Sequence, residues 1–293
     1  MALDATTTTE LTQEQVQKIL VQPLEKASVF LASGVRIFDT NGSAVRIPKQ
    51  APPTAPAWHG ENEQISEVNP DFGEVILLPD TMKSVKVLVK FSNELARQSV
   101  VSLDAALRQR LVTDVAATLD TAFIASTVVD GTQPTGILNY AGRQSITAVG
   151  AITIDDLHDA EGLALAANVD PSRLRWFMTS RDFVAIRKLR EGSGTGQYLV
   201  QPDPTESGAY RLLGHPVTVT NRIPDDGGAG TDESTAVLFD PSQVAVARDL
   251  APTVKILDQT FGDFDQMAIR VVARYDAAPL NAEAVVTLEG ITP

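Results

Sequence analysis

The chain has 293 residues, 43% hydrophobic and 21% charged, which excludes wholesale disorder and allows one large domain or two of ordinary size. A formal net charge of −13 leaves too few Lys and Arg to neutralise a run of phosphates, so a duplex-binding face is disfavoured, although a wall that merely encloses DNA is not. Without cysteine there is neither a disulfide framework nor a thiolate metal site; without a basic flank and apolar stretch at its start, or any apolar run long enough to cross a bilayer, the chain reads as soluble, unexported and away from membranes.

The first predicted element is a short helix. Thr12 to Gln15 has capping-box spacing, and Val16, Ile19 and Leu20 share a face before Pro23 interrupts. Alone, such a helix is marginal in water and needs a partner surface. Residues 35–48 then read as strand, and Pro52, Pro53 and Pro56 forbid regular structure beyond it. Strand character returns over residues 74–91, with Val85, Val87, Val89 and Phe91 on one face and Lys86, Leu88 and Lys90 on the other. Two strands around a Pro-rich tip predict a projecting hairpin. Such a hairpin is barely stable by itself and must rest on something.

After Ser92 the period changes from two to helical. Leu103, Leu107, Leu111, Val115, Leu119 and Phe123 recur every fourth residue, and a step of four over-rotates by about 40°, so the stripe winds around the helix. A helix over residues 103–126 would span roughly 35 Å and organise the fold. Turn chemistry at Asp130, Gly131 and Pro134 ends it.

Residues 152–240 alternate helix and strand. Asp155 is read as the cap of a helix burying Leu157, Ala160, Ala164 and Leu165. Residues 174–178 form a strand, and Ser180 is read as the cap of a second helix with Phe183, Ile186 and Leu189 inside and Arg187, Lys188 and Arg190 near its end. Glycine breaks follow at 192–196 and 225–228, with strands over 217–220 and 236–239. The rest is β: residues 243–248, 253–257, 264–275 and 285–288.

This order of parts, with several local patterns, resembles the tailed-bacteriophage major capsid family, whose fold is the Hong Kong 97 capsid fold. The patterns are Phe91-Ser92-Asn93-Glu94-Leu95, Leu119-Asp120-Thr121-Ala122-Phe123, Pro134-Thr135-Gly136-Ile137-Leu138 and Trp176-Phe177-Met178-Thr179-Ser180. Gly196-Gln197-Tyr198-Leu199, Leu213-Gly214-His215-Pro216-Val217, Phe239-Asp240, and Arg270, Arg274, Asp276 and Ala284 complete them. Together they cover nearly everything from Val29 onward.

The resemblance implies an α+β fold of five parts: an N-terminal arm (1–34), an extended β-hairpin loop lying across a neighbour (35–91), a spine helix with the peripheral domain (92–130), an α/β axial domain (131–240), and return strands of the peripheral domain (241–293). It implies a non-enzymatic shell subunit of the virion, assembling in the host cytoplasm with itself into pentamers and hexamers around packaged DNA. It implies no cofactor or metal. Scaffold, portal and decoration proteins are the implied further partners. Expected contacts between copies are Trp58, Glu61, Glu63, Lys83, Lys86, Arg187 and Arg190. Some relatives carry a scaffolding segment before the arm, for which the stretch here leaves no room; a separate scaffold or prior removal is expected. Others crosslink a Lys to an Asn with an assisting Glu. Lys49, Lys83 and Lys86 would be donors here, with Asn281 and Glu289, but no local motif supports that pairing.

Other chemistries find less support. Residues 192–196 resemble a phosphate loop only in glycine content, because Gln197-Tyr198 stands where Gly-Lys-Ser/Thr would lead into a helix. His59, His158 and His215 lack second ligands at metal spacing, the acid pairs at 155–156 and 225–226 fit a helix start and a turn, and no Gly-x-Ser-x-Gly elbow occurs. Trp58, beside a Pro-rich tip, is either an interface anchor or packs on its own arm. The alternatives to a viral shell are an encapsulin-like nanocompartment subunit around cargo enzymes and, last, a hydrolase built on the α/β segment.

Overall fold

The computed structural model describes residues 27–50, 58–59, 61–62, 72–78, 83–92, 103–127, 132–190, 196–198, 200, 210–249, 253–257 and 264–293. The predicted helix at residues 12–20, residues 93–95, where the helical period was expected to begin, and most of the glycine run at 192–196 lie outside them.

The described residues form a mixed α+β fold. A long helix, α1 (Leu103–Ala125), lies against a five-stranded sheet made of β1 (Arg36–Thr40), β4 (Ser84–Ser92), β11 (Val244–Asp249), β12 (Thr253–Leu257) and β13 (Gln266–Pro279). β13 is its backbone. Both β4 and β12 pair antiparallel with residues 268–272 of β13 and so flank it on opposite edges, while its later residues pair with β11, itself parallel to β1. In β4 the period-two pattern holds: Val85, Val87 and Val89 pack on the core, and Lys86, Leu88 and Lys90 face out.

A seven-stranded sheet contains β5 (Gln144–Ile146), β6 (Gly150–Ala151), β7 (Arg175–Met178), β8 (Arg211–Leu212), β9 (His215–Val219), β10 (Ser234–Phe239) and β14 (Val285–Thr292). Its main order is β5-β14-β10-β7-β9-β8, with β6 also on β14. Alternate residues of its central strands serve two cores. Phe177, Val237, Phe239 and Val285 face α1, while Trp176, Met178, Leu238, Val286 and Leu288 face α2 (Ile154–Ala166) and α3 (Ser180–Arg187). One aromatic cluster fastens the halves together. Phe30 stacks on Phe123 of α1 at 5.2 Å and contacts Phe177 and Phe239 at 6.5 and 6.3 Å.

The winding stripe of α1 is buried wherever its side chains are described, at Leu111, Val115, Leu119 and Phe123. Several expectations need correction. Residues 35–48 hold two strands, β1 and β2 (Val45–Gln50), separated by a turn with Gly42 at φ +80°. α2 is capped by Thr153, not Asp155: the Thr153 hydroxyl accepts from the Asp156 N–H, and the Asp156 carboxylate accepts from the Thr153 N–H. α3 is capped by Thr179, not Ser180, through the N–H of buried Asp182. Leu165 points to solvent, because its position lies off the face that Leu157, Ala160 and Ala164 bury. The stretch expected as 264–275 runs on to Pro279. β14, expected among the peripheral return strands, instead pairs with β10 inside the seven-stranded sheet.

Candidate inter-subunit surface

The predicted hairpin is present as β2 paired antiparallel with β3 (Phe72–Leu77), from Val45 opposite Leu77 to Gln50 opposite Phe72. Its flanks, β1 and β4, belong by hydrogen bonding to the five-stranded sheet, so the projecting part is shorter than the span from 35 to 91. At its base, Leu77 and Leu78 are buried against Ala245 and Ala247, with Phe38, Val45, Ile47 and Val75 around them. The Arg46–Glu74 pair bridges the strands at 2.9 Å, but both side chains are exposed and such pairs contribute little.

A buried carboxylate clamps that base. Asp276 of β13 accepts from the Leu78 N–H and from the Ala277 N–H, both at 2.9 Å, and from the Lys83 ammonium at 2.6 Å. Leu78 sits at φ +51°, a left-handed conformation that β-carbon crowding disfavours, so its amide must be held by something firm. Asp276 also raises the pKa of the Tyr140 phenol, though burial does more. A second buried acid, Asp120 of α1, accepts from the Ser28 hydroxyl at 2.5 Å and from the Val29 and Phe30 N–H groups at 2.9 and 3.1 Å. It fixes the point where the preceding chain meets the long helix. Sequence reading gave neither acid such a role. The available signal was a lone carboxylate inside an apolar run, Leu119 to Phe123 and Tyr275 to Ala278, since unpaired acids are seldom buried.

The seven predicted contact residues do not form one patch. Trp58 is fully exposed, at 102% of its reference area; Glu61 is exposed nearby in sequence, and Glu63 lies outside the described residues. Lys83 is committed to Asp276 within the chain, whereas Lys86 projects from the outer face of β4. Arg187 and Arg190 lie in the α/β half. The Arg187 guanidinium is 5.7 Å from the Phe183 ring centre and 6.0 Å from that of Tyr210, and Arg190 sits 4.4 Å over Tyr198 while donating to its hydroxyl at 2.8 Å. Of the residues considered for crosslinking, Asn281 accepts from the Glu283 N–H and Glu289 pairs with Arg143.

A groove of about 790 Å³ runs between β4 and the second half of α1, walled by Lys83, Lys86, Ala122, Pro134 and Arg222. Its lining is mainly Ala, Thr, Ser and Pro with three cations. Among the described residues, no three His, Asp or Glu side chains gather at metal-binding distance, and no helix is long and apolar enough to cross a membrane.

Residues 10–290 match the model of the phage capsid family. The chain belongs to that family. The family match embraces both sheets, α1 and the hairpin, and makes this a capsid protein of the tailed-phage major capsid type. The major capsid protein of Klebsiella oxytoca phage phiKO2 is 24% identical over 302 residues, covering 96% of this chain and 68% of that protein. The major capsid protein of Halomonas phage phiHAP-1 is also 24% identical, over 261 residues and 89% of this chain, which spans only 40% of that protein's length. Among solved structures, the capsid of a native GTA particle superimposes with a TM-score of 0.72 at 18% identity, covering 91% of this chain and 90% of the other. A structure from Microbacterium phage Oxtober96 gives 0.71 at 18% identity, with 91% of each chain covered. The capsid family member thus has the Hong Kong 97-like fold that its sequence resembles.

Proposed function

We propose that this chain is the major shell subunit of a tailed-phage head, assembling with itself into pentamers and hexamers that enclose packaged double-stranded DNA without sequence-specific binding. The observation that supports the reading is the hairpin, clamped at its base by Asp276, with Trp58, which falls between its two strands in sequence, wholly exposed. An aromatic residue so placed loses little by staying in water and gains much once a neighbour covers it. In this reading residues 35–91 reach an adjacent copy, α1 and the five-stranded sheet make the peripheral body, and the seven-stranded sheet with α2 and α3 makes the axial body. A separate scaffold, a portal and decoration proteins are the remaining partners, and assembly takes place in the host cytoplasm.

Each copy would overlap several neighbours, so modest pairwise contacts become collectively stable on closure. The charge of −13 means that the wall confines DNA by geometry and does not hold it by charge. Electron microscopy and analytical ultracentrifugation of the purified chain test this. Rings or closed shells are expected. A chain that stays monomeric at high concentration, with its scaffold supplied, would overturn the reading. Particles that form in cells around cargo enzymes instead of phage DNA would move the assignment to a nanocompartment.

A further inference from the structure

The α/β half carries opposite charge at two separate places. At the β8 edge, Tyr210 leads into the strand, its carbonyl accepts from the Val217 N–H of β9, and its ring packs on Phe183 at 4.8 Å. Arg187 lies over both rings and Arg190 over Tyr198. These aromatic faces fix two guanidiniums in space and leave Tyr198 and Tyr210 nearly half exposed. Among the described residues, neither arginine has a carboxylate within ion-pair distance, although the chain carries 37 acids against 24 Lys and Arg. Cations fixed in place with no carboxylate partner among the described residues, in so acidic a protein, can serve as half of a contact.

The complement is on the outer side of α2, the helix that covers β14 and β10. β6 pairs with the end of β14, and α2 begins three residues later, its body packing on β14 and β10. Asp155 and Asp159 stand one turn apart on its exposed side, both without an ion-pair partner among the described residues. Asp156 and Glu161, by contrast, are used internally, by the cap and by His215. Asp155 suits the positive end of the helix dipole, but Asp159 is beyond the reach of that explanation.

The geometry points to a head-to-tail contact in which Arg187 and Arg190 of one copy, backed by Tyr198 and Tyr210, dock against Asp155 and Asp159 on α2 of the next. The occupant of the basic aromatic surface is thus a second copy of this chain. Two different patches of one body make a heterologous interface, which closes into a ring when the rotation between copies permits. Charge complementarity also gives the copies a local attraction that their shared net charge denies them at longer range. This inference rests on the shell reading and specifies one of its contacts.

The test uses charge reversal in the full-length chain. R187E/R190E and D155K/D159K should each fold, with modest losses from the Arg187 ring contacts and from Asp155 at the helix start, because Arg190, Asp155 and Asp159 are exposed and Arg187 is only half-buried. Each should raise the concentration needed for half-assembly about tenfold or more, since like charges then face each other across the contact. The quadruple reversal restores complementarity with the signs exchanged, and should restore rings. A 1:1 mixture of the two double variants should form rings of even number only, because alternation around an odd ring leaves one mismatched contact. If the unmodified chain assembles and R187E/R190E assembles equally well, this contact is wrong while the shell reading stands. The same holds if the folded quadruple variant remains unassembled. If the unmodified chain does not assemble at all, the shell reading itself fails.

Discussion

Asp276 illustrates how one side chain can set the attitude of a projecting arm. Its carboxylate closes three hydrogen bonds, two to backbone amides on either side of the β3–β13 crossing and one to Lys83 at the start of β4. Replacing it with alanine leaves Lys83 without its anion and the left-handed Leu78 amide without an acceptor. Asp276→Ala should therefore cost about 3–5 kcal/mol in denaturant unfolding, as expected when one member of a buried pair is removed. Tyr140 behaves in the opposite sense. Its hydroxyl is buried with no hydrogen-bond partner among the described residues, and burial, assisted by Asp276, holds its pKa above the ordinary value of 10.0. The folded state thus prefers the neutral phenol. Stability from this group is complete below about pH 10 and is lost as pH climbs toward the folded value. Tyr140→Phe removes an unsatisfied polar atom, so it should leave stability at pH 7 unchanged or raise it by about 1 kcal/mol. It should also make the alkaline decline shallower. A loss above about 2 kcal/mol in urea titrations would show that the hydroxyl has a bonded role.

At the scale of elements, the long helix is where sequence and structure agree most closely. Its stripe of Leu111, Val115, Leu119 and Phe123 is a periodic signal that only a buried helix explains, and the winding implied by a step of four appears as burial spreading to Val112, Ala116 and Ile124. Phe123 meets Phe30 on one side and Tyr275 on the other, joining the helix to residues far apart in sequence. Phe123→Ala should cost about 3–5 kcal/mol, while Val184→Ala, on the exposed side of α3, should cost little in the same thermal unfolding assay. Element ends were less legible, for a local reason. Thr153 and Thr179 each stand beside an equally good cap by residue type, and only the extended backbone at the threonine decides between them. The break between β1 and β2 did carry a turn signal, Asn41-Gly42, whereas nothing in the identity of Leu78 after β3 announces φ +51°.

For the whole molecule, the order of arm, hairpin, helix and two sheets was legible because each part has its own period, whereas the sheet that owns each strand was not. Strand pairing is a long-range choice: β14 alternates Val285, Thr287 against Val286, Leu288 in a way that suits either sheet, and only its partners β10 and β5 settle the matter. The buried acids escaped notice because a carboxylate reads as surface until its donors, 91 or 198 residues away, are known. In the proposed shell, stability and assembly reside in different residues of this chain. Asp276, Asp120 and Phe123 hold the subunit together, while Trp58 touches none of the three cores. Trp58→Ala should accordingly leave the melting temperature of the isolated subunit where it was, because a fully exposed indole contributes almost nothing to folding. In a shell the same substitution removes an anchor from every copy. If each anchor contributes about 2 kcal/mol to its contact, the concentration needed for half-assembly rises roughly thirtyfold, and scattering growth curves at graded protein concentration would reveal it. A conservative Trp58→Phe should recover much of that loss, since it restores apolar area without the indole N–H. Unchanged assembly in Trp58→Ala, with shells still forming, would remove the tip from the list of contacts and place the weight of closure on the ring.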